Sequence, residues 1–484
     1  MNSELCCTES EYRWHVANSF KPFKIACREQ KLTGSRTPNG RLADVIAEAG
    51  ITYYALAREV RTVAAEAGEK LNTAPSAIAY WVAGGTPSGR TRFYVAEALT
   101  RRMKRKVTVA EIGLGCAGIG EALGADPLAT AADLGRYTML RRRDFLSSAF
   151  AAAAVSLPLS YDRDAVAATL KAAQRGGDVG AEEVTTVRQL TETFRGVDER
   201  LGGGHGLSTV TAYLTDTVTP MLAARFPSDV VRREAFGAAA QLATLVGWKH
   251  HDLGQEGAAQ QYYLLGYQLA CEADPHGHAA WMLRAMTHQA LDLGHPDSCV
   301  ELAEEALRRA SGKVDRRTEA LLLVTCARAY GTSGESGKAA RALLAAEDAV
   351  LDTREPVLSF AAASGPVAAT VASHTGKTLT AMRDYPAAER HYRAALADRT
   401  PGTYQRVHGL TMVNLGKSVA AQHRHEEAVG LWSRSLDFMD GVVSDRNRQE
   451  ITSIQSQAAR YRKRGVVGAA SLGQRAAELL RARV

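Results

Sequence analysis

The sequence predicts an all-α protein, with a small basic helical domain near its N-terminus and a long array of helical hairpins in its C-terminal half. Three observations predict it. Apolar residues make up 46% of the 484 residues and aromatics only 6%, with Ala and Leu abundant and β-branched runs short, which is the composition of packed helices. The net charge of +7 is localised, because residues 1–143 hold 21 Lys/Arg against 14 Asp/Glu whereas residues 144–484 hold 38 of each. Finally, Gly254, Gly294 and Gly334 recur at intervals of 40 residues, a period that belongs to stacked repeats.

A chain of this length exceeds what one core supports, so two to four domains are expected. Residues 1–37, interrupted by Pro22 and Gly34, read as a flexible arm. Residues 38–114 read as a compact domain of five short helices. Leu42, Val45, Ile46 and Ala49 share one face of the first, which Gly50 closes; Thr52 can cap the second, whose buried side carries Leu56, Val60 and Val63. Thr73 can cap the third, with Pro75 in its first turn and Ile78, Trp81 and Val82 facing inward. A fourth runs over about 92–102, and Thr108 with Glu111 has the spacing of a capping box for a very short fifth. Residues 115–180, rich in Gly and Ala, read as a linker, and 181–484 as the repeat domain.

Within the repeats, a small residue follows each periodic glycine by five positions, at Ala259, Cys299 and Ala339, and the offset returns at Ala388 and Ala428 after an insertion around Pro356–Pro366. Four positions further on stand Tyr263, Ala303, Leu343, Tyr392 and Trp432, most of them large. This is tetratricopeptide spacing, in which small residues let two helices approach and a large one fills the gap beside them. Gly247, Gly376 and Gly416 then fall at the small position of the first helix, where the two helices of a hairpin touch.

Several function classes are excluded or disfavoured. No stretch of 18 apolar residues exists, and Glu4, Glu9, Glu11 and Arg13 interrupt the place of a signal peptide, so a cytoplasmic protein with no membrane partner is expected. Arg141–Leu146 has a twin-arginine pattern, but so far into the chain it reads as a basic turn before an Ala-rich helix. The seven cysteines include no Cys-x-x-Cys pair, and the paired histidines do not share a helix face, so no metal is expected. Gly113-Leu114-Gly115-Cys116-Ala117-Gly118 lacks the strands that a dinucleotide site needs. Thr375-Gly376-Lys377-Thr378 is no phosphate loop, because Val371 stands where the first glycine belongs. With no catalytic motif in view, neither an enzyme nor a cofactor is expected.

The segment Thr73–Val82 is the candidate recognition helix. Small polar residues near its start can enter a major groove while Ile78 and Trp81 anchor it and flanking cations hold phosphates. Thr73, Ser76, Ala77 and Tyr80 would face DNA, and Arg58, Arg61, Lys70, Arg90 and Arg92 would grip the backbone. An ordinary surface helix with a buried Trp would have the same pattern. No Arg, Asn or Gln lies on its exposed face, so bidentate base readout is absent.

Leu56-Ala57-Arg58-Glu59-Val60, Ile78 to Gly84, Ala96-Glu97-Ala98-Leu99 and Val107 to Leu114 resemble the helix-turn-helix domain of actinobacterial regulators that end in tetratricopeptide repeats. Asp198-Glu199-Arg200-Leu201-Gly202-Gly203, Gly247-Trp248 and Asp252-Leu253-Gly254 resemble the blocks that open the repeat region there. The resemblance covers most of 39–440 and implies control of sporulation or secondary metabolism; many such proteins also carry a twin-arginine-like segment. The uncharged Gly85-Thr86-Pro87 departs from the family, which places a basic residue there, and implies weaker DNA affinity.

The expected architecture is thus a helix-turn-helix domain followed by an α-solenoid of tetratricopeptide-like hairpins. The expected function is a transcriptional regulator of double-stranded DNA that forms a homodimer. Its array would sense a peptide or protein effector in a concave groove with Tyr330, Asn414 and Lys417, or mediate oligomerisation. The alternative is a tetratricopeptide scaffold whose degenerate helix-turn-helix binds no specific DNA.

Overall fold

The computed structural model describes residues 38–66, 70–87, 91–105, 107–109, 111–114, 126–128, 130–131, 134 and 179–482. The described residues form helices and no strand. The expected arm and the twin-arginine-like segment lie outside them.

The first unit holds four helices, α1 (Gly40–Glu48), α2 (Tyr53–Glu66), α3 (Pro75–Val82) and α4 (Thr91–Met103). Asn39 caps α1, its Oδ1 accepting from the Leu42 amide at 3.2 Å, while its Nδ2 donates to the Ile112 carbonyl at 2.9 Å. One side chain thereby starts the first helix and ties it to the end of the unit. Thr52 caps α2 as expected, accepting from the Ala55 amide at 3.2 Å. Thr73 does not cap α3: the N-cap is Ala74, with no side-chain bond, and Thr73 is buried. Pro75 explains why the helix starts there without a capping side chain, since its fixed φ suits a first turn that needs no amide donor. Thr108 and Glu111 do exchange the two hydrogen bonds of a capping box, at 3.0 and 3.4 Å, but residues 111–114 form turns and not the expected fifth helix. Leu42, Leu56, Val60, Ile78, Trp81, Tyr94, Leu99 and Ile112 share one core.

Next come α5 (Ala181–Leu201) and α6, which runs from Leu207–Ala212 through a π-helical stretch, Tyr213–Val218, into Thr219–Leu222. Six helix pairs then follow: α7 (Asp229–Asp252) with α8 (Glu256–Ala273), α9 (Gly277–Asp292) with α10 (Pro296–Ala310), α11 (Arg316–Thr332) with α12 (Ser336–Val350), α13 (Val367–Ala381) with α14 (Tyr385–Ala397), α15 (Gln405–Ala421) with α16 (His425–Met439), and α17 (Asp445–Lys463) with α18 (Ala469–Arg481). Each pair packs on the next.

The periodic glycines end the first helices of the first three pairs in left-handed conformations, with φ of +69°, +76° and +81°. Arg383 and His423 take the same conformation in the fourth and fifth pairs, each with φ of +65°. The small residues act as expected. A β-carbon on Gly247 or Gly376 would come within 2.8 or 2.7 Å of the Tyr263 or Tyr392 ring, and one on Gly416 would overlap the Trp432 indole. The sequence reading missed the sixth pair, because the turn at Gly465 (φ +75°) falls off the 40-residue period. Part of the expected linker is also packed, since Leu128, Ala131 and Leu134 are buried in the core that runs through α5 to α13.

The last pair returns to the beginning of the array. Val443 donates to the Leu201 carbonyl at 2.8 Å and accepts from the Gly204 amide at 3.2 Å, and the Ser444 hydroxyl donates to Asp252 at 2.9 Å. Glycine is required on this seam. Gly202 has φ of +86° and its added β-carbon would overlap the Val443 carbonyl, while one on Gly203 would stand 2.6 Å from the Lys249 carbonyl.

Candidate functional site

Two places in the molecule gather chemistry-bearing side chains: the outer face of α2 and α3, and the interior surface on which α5, α7, α9, α11, α13, α15 and α17 meet.

On the outer face, Ser76 and Tyr80 stand one turn apart on α3 and are both exposed, Tyr80 by 44%. Ile78 and Trp81, between and beyond them, are buried in the core. The Tyr80 ring lies across Gly85, where any β-carbon would overlap it, so the position at which the family resemblance leads one to expect a basic side chain is filled by that ring. Arg58 keeps 63% of its side chain open beside Glu59, and Lys70 is exposed. Tyr54, one turn before Arg58 on α2, is 68% exposed; the sequence reading missed it, having treated α2 only as a source of phosphate contacts.

The other proposed contacts sit differently. Thr73 is buried, so it is not on the outer face. Arg61 donates to the Thr73 carbonyl and thereby ties the residues before α3 to α2. Ala77 is half-buried against the core, and Arg92 is half-buried with its guanidinium 5.0 Å from the Phe93 ring centre. Arg90 lies outside the described residues. Part of the basic surplus is structural. Arg101 forks onto Glu66 at 2.9 and 2.7 Å and reaches Glu97 at 2.8 Å, while Arg105 pairs with Glu48 and Glu111. His295, at the start of α10, brings its Nε2 to 3.9 Å from Glu66 and so touches the array to the first unit.

The interior surface is ionic. Arg406 on α15 has no exposed side-chain area and meets Asp198 at 2.9 Å, Asp252 at 3.3 Å and Glu199 at 3.5 Å. Lys249 donates to Asp198 at 3.3 Å and to the His205 carbonyl at 3.0 Å. The guanidinium groups of Arg406 and Arg446 both lie over the Trp248 ring, 5.4 and 5.3 Å from its centre, a cation–π arrangement. Burial alone would raise the Asp252 carboxyl, but Arg406 and Arg446 overcome it and hold it below its usual range. Burial likewise opposes a charge on His251, yet Glu256 and Asp292, at 2.9 and 3.3 Å, raise its imidazole to about 9.

Asp198 to Gly203 and Trp248 to Asp252 form one side of a seam, and Arg406, Ser444 and Arg446 form the other. The predicted groove residues have separate neighbours. Tyr330 donates to Glu304 at 2.8 Å with Lys338 over its ring, Lys417 pairs with Glu450 at 2.7 Å, and Asn414 is half-buried. Among the described residues no cluster of three or more His, Cys, Asp or Glu is arranged to hold a metal ion, and Cys271, Cys299 and Cys326 form no disulfide.

Residues 42–115 match the family model described as the SP15 N-terminal domain. No curated protein matches the chain. No helix of the described residues is long and apolar enough to cross a membrane.

Proposed function

We propose that this protein is a cytoplasmic, homodimeric transcriptional regulator whose N-terminal unit acts as a helix-turn-helix module on double-stranded DNA. Its tetratricopeptide-like array would be the part that senses an effector or joins the subunits. The observation that carries this reading is the outer face of α2 and α3, where Tyr54, Arg58, Ser76 and Tyr80 are open while Ile78 and Trp81 hold the helix from behind. Ser76 and Tyr80 supply hydroxyls for base edges, and Arg58 and Lys70 supply charge for phosphates. The Arg61 bond to the Thr73 carbonyl ties the residues before α3 to α2.

The second reading, a scaffold with a degenerate module, draws on the same face, because Thr73, Arg61 and Ala77 are engaged internally. The two readings part on one measurement. After genome-wide mapping of bound DNA, the full-length protein is titrated with a recovered sequence and with a scrambled one. Tyr80→Ala should narrow the gap between them by about 1–3 kcal/mol, whereas Lys70→Ala should weaken both alike. Equal affinity of the wild type for both sequences would favour the scaffold.

A further inference from the structure

The interior surface holds more positive charge than its carboxylates answer. Arg284 and His288 stand one turn apart on α9, Arg328 projects from α11, and His374 and Lys377 lie on α13. The His288 and His374 rings stack with centroids 4.7 Å apart, and Arg328 Nη1 is 3.2 Å from His288 Nδ1. Asp292 is the carboxylate at this group, and it is already shared among Arg328 at 2.6 Å, Arg446 at 3.0 Å and His251 at 3.3 Å. No carboxylate among the described residues forms an ion pair with the other two cations. Arg284 is buried, donates Nε to the Leu321 carbonyl and rests 4.4 Å from the Trp281 ring centre, an aromatic face and not a counter-ion. Lys377 makes no ion pair or hydrogen bond among the described residues. His374 Nδ1 is buried with no partner.

Unpaired charges in such a place cost stability unless something else neutralises them. His374 and Lys377 retain part of their surface, so they border space and are not fully packed. Two unanswered cations beside two imidazoles are the donor set for an anion of two charges with several oxygens, for which a guanidinium fork and an ammonium are the usual holders. We propose that Arg284, His288, His374 and Lys377, with Arg328 at the edge, form a binding site for a phosphate-class dianion, either inorganic phosphate or the phosphoryl end of a small metabolite. Neither this site nor its test depends on the DNA reading.

The protonation of the group follows from burial and from the surplus of positive charge. Burial, and then the charge of Arg328, pushes the Lys377 ammonium down to about 7 and the Arg284 guanidinium down to about 9. Burial and the surrounding cations hold His288 and His374 well below the ordinary imidazole range. A bound dianion reverses the effect on Lys377, so binding near pH 8 takes up a proton.

The test is calorimetric titration of the full-length protein at pH 8 with inorganic phosphate, in two buffers of different ionisation enthalpy. Saturable binding with proton uptake is expected, and acetate should bind at least about tenfold more weakly. Glycerol phosphate in a parallel titration distinguishes the two sources: tighter binding than phosphate assigns a metabolite, and equal or weaker binding assigns the free ion. Lys377→Met and Arg284→Gln should each weaken phosphate by about tenfold or more, and Lys377→Met should abolish the proton uptake, whereas Lys417→Gln, at a cation already paired, should bind as the wild type does. Thermal unfolding guards against a trivial loss of fold, because Lys377→Met removes a buried amine that makes no ion pair or hydrogen bond among the described residues and should melt no lower than the wild type. Phosphate stabilises proteins generally by exclusion from their surface, so the readout is how much more it stabilises wild type than Lys377→Met. No saturable binding up to about 10 mM phosphate, acetate binding as tightly as phosphate, or wild-type affinity in Lys377→Met would overturn the proposal.

Discussion

Arg58 and Arg406 are the same side chain in opposite settings. Arg58, on the outer face of the N-terminal unit, has 63% of its side chain in water and one neighbouring glutamate. Arg406 has none of its side chain in water and sits among three carboxylates and a tryptophan. The N-terminal unit keeps an apolar core and carries charge on its outer face, whereas the array, which is neutral by count, places charges on the surface where its helices meet. A count of charges along the chain therefore finds the first arrangement and is blind to the second. In the array the positive and negative residues cancel by count, which hides both the paired interior charges and the surplus at Arg284 and Lys377.

The difference should be large when a partner is removed. Arg406→Met removes the cation 3.3 Å from the buried Asp252 and 3.5 Å from Glu199, and breaking a buried network in this way costs about 3–5 kcal/mol. Urea unfolding of the full-length protein measures it. Because Arg406 joins α15 to α5 and α7, the loss should also appear as faster amide exchange in residues around Val443 and Gly204, whose hydrogen bonds lie on the same seam. A loss below about 1 kcal/mol would mean that the interior charges are as weakly coupled as those on an ordinary surface, and the comparison would collapse.

A subtler consequence follows from two interior groups that titrate in opposite senses. His251 is raised from 6.5 to about 9, so the stability it contributes is complete below about pH 6.5 and is lost as pH rises through 9. Lys377 is lowered from 10.5 to about 7, so the folded state gives up its proton more readily than the unfolded one, and stability rises with pH between 7 and 10.5. Between pH 7 and 9 the two oppose each other, and the wild type should be nearly flat. His251→Gln should then gain stability as pH rises and Lys377→Met should lose it, each with a slope of about 1 kcal/mol per pH unit. Parallel curves for the two variants would break the assignment of charge to the interior.

The sequence made the helices legible wherever local chemistry decides them. The faces of α1 and α2, the Thr52 cap and the contacts of Gly247, Gly376 and Gly416 with large residues all follow from spacing. Thr73 failed because Pro75 makes a capping side chain unnecessary. The glycine period faded after Gly334 because Arg383 and His423 accept the left-handed turn without glycine, so a pattern of residue types vanished while the backbone pattern continued. The interior was the least legible part. Asp198, Asp252, Arg406 and Arg446 are brought together only when the sixth pair returns to the first, and no local signal reports a contact between residues 252 and 444. The one available hint was the charge placed on first helices, as at Arg284 and His288 one turn apart, where an apolar face would otherwise be expected.

The smallest effect on folding is expected outside. Arg58→Ala removes a solvated cation whose ionic neighbour among the described residues is Glu59, and exposed pairs of this kind contribute between nothing and about 0.5 kcal/mol. Urea unfolding should therefore hardly distinguish it from the wild type, although Arg406→Met involves the same residue type. Its effect should appear on DNA instead. If Arg58 holds one phosphate, its removal should lower the slope of log affinity against log salt by about 0.9 and weaken binding to all sequences alike. A variant that unfolds more easily and keeps the wild-type salt slope would place Arg58 in the fold and take it out of the DNA-binding face. An unchanged stability with a shallower salt slope would instead separate the two uses of arginine in this molecule by experiment, since the outer one would act only when a polyanion is present.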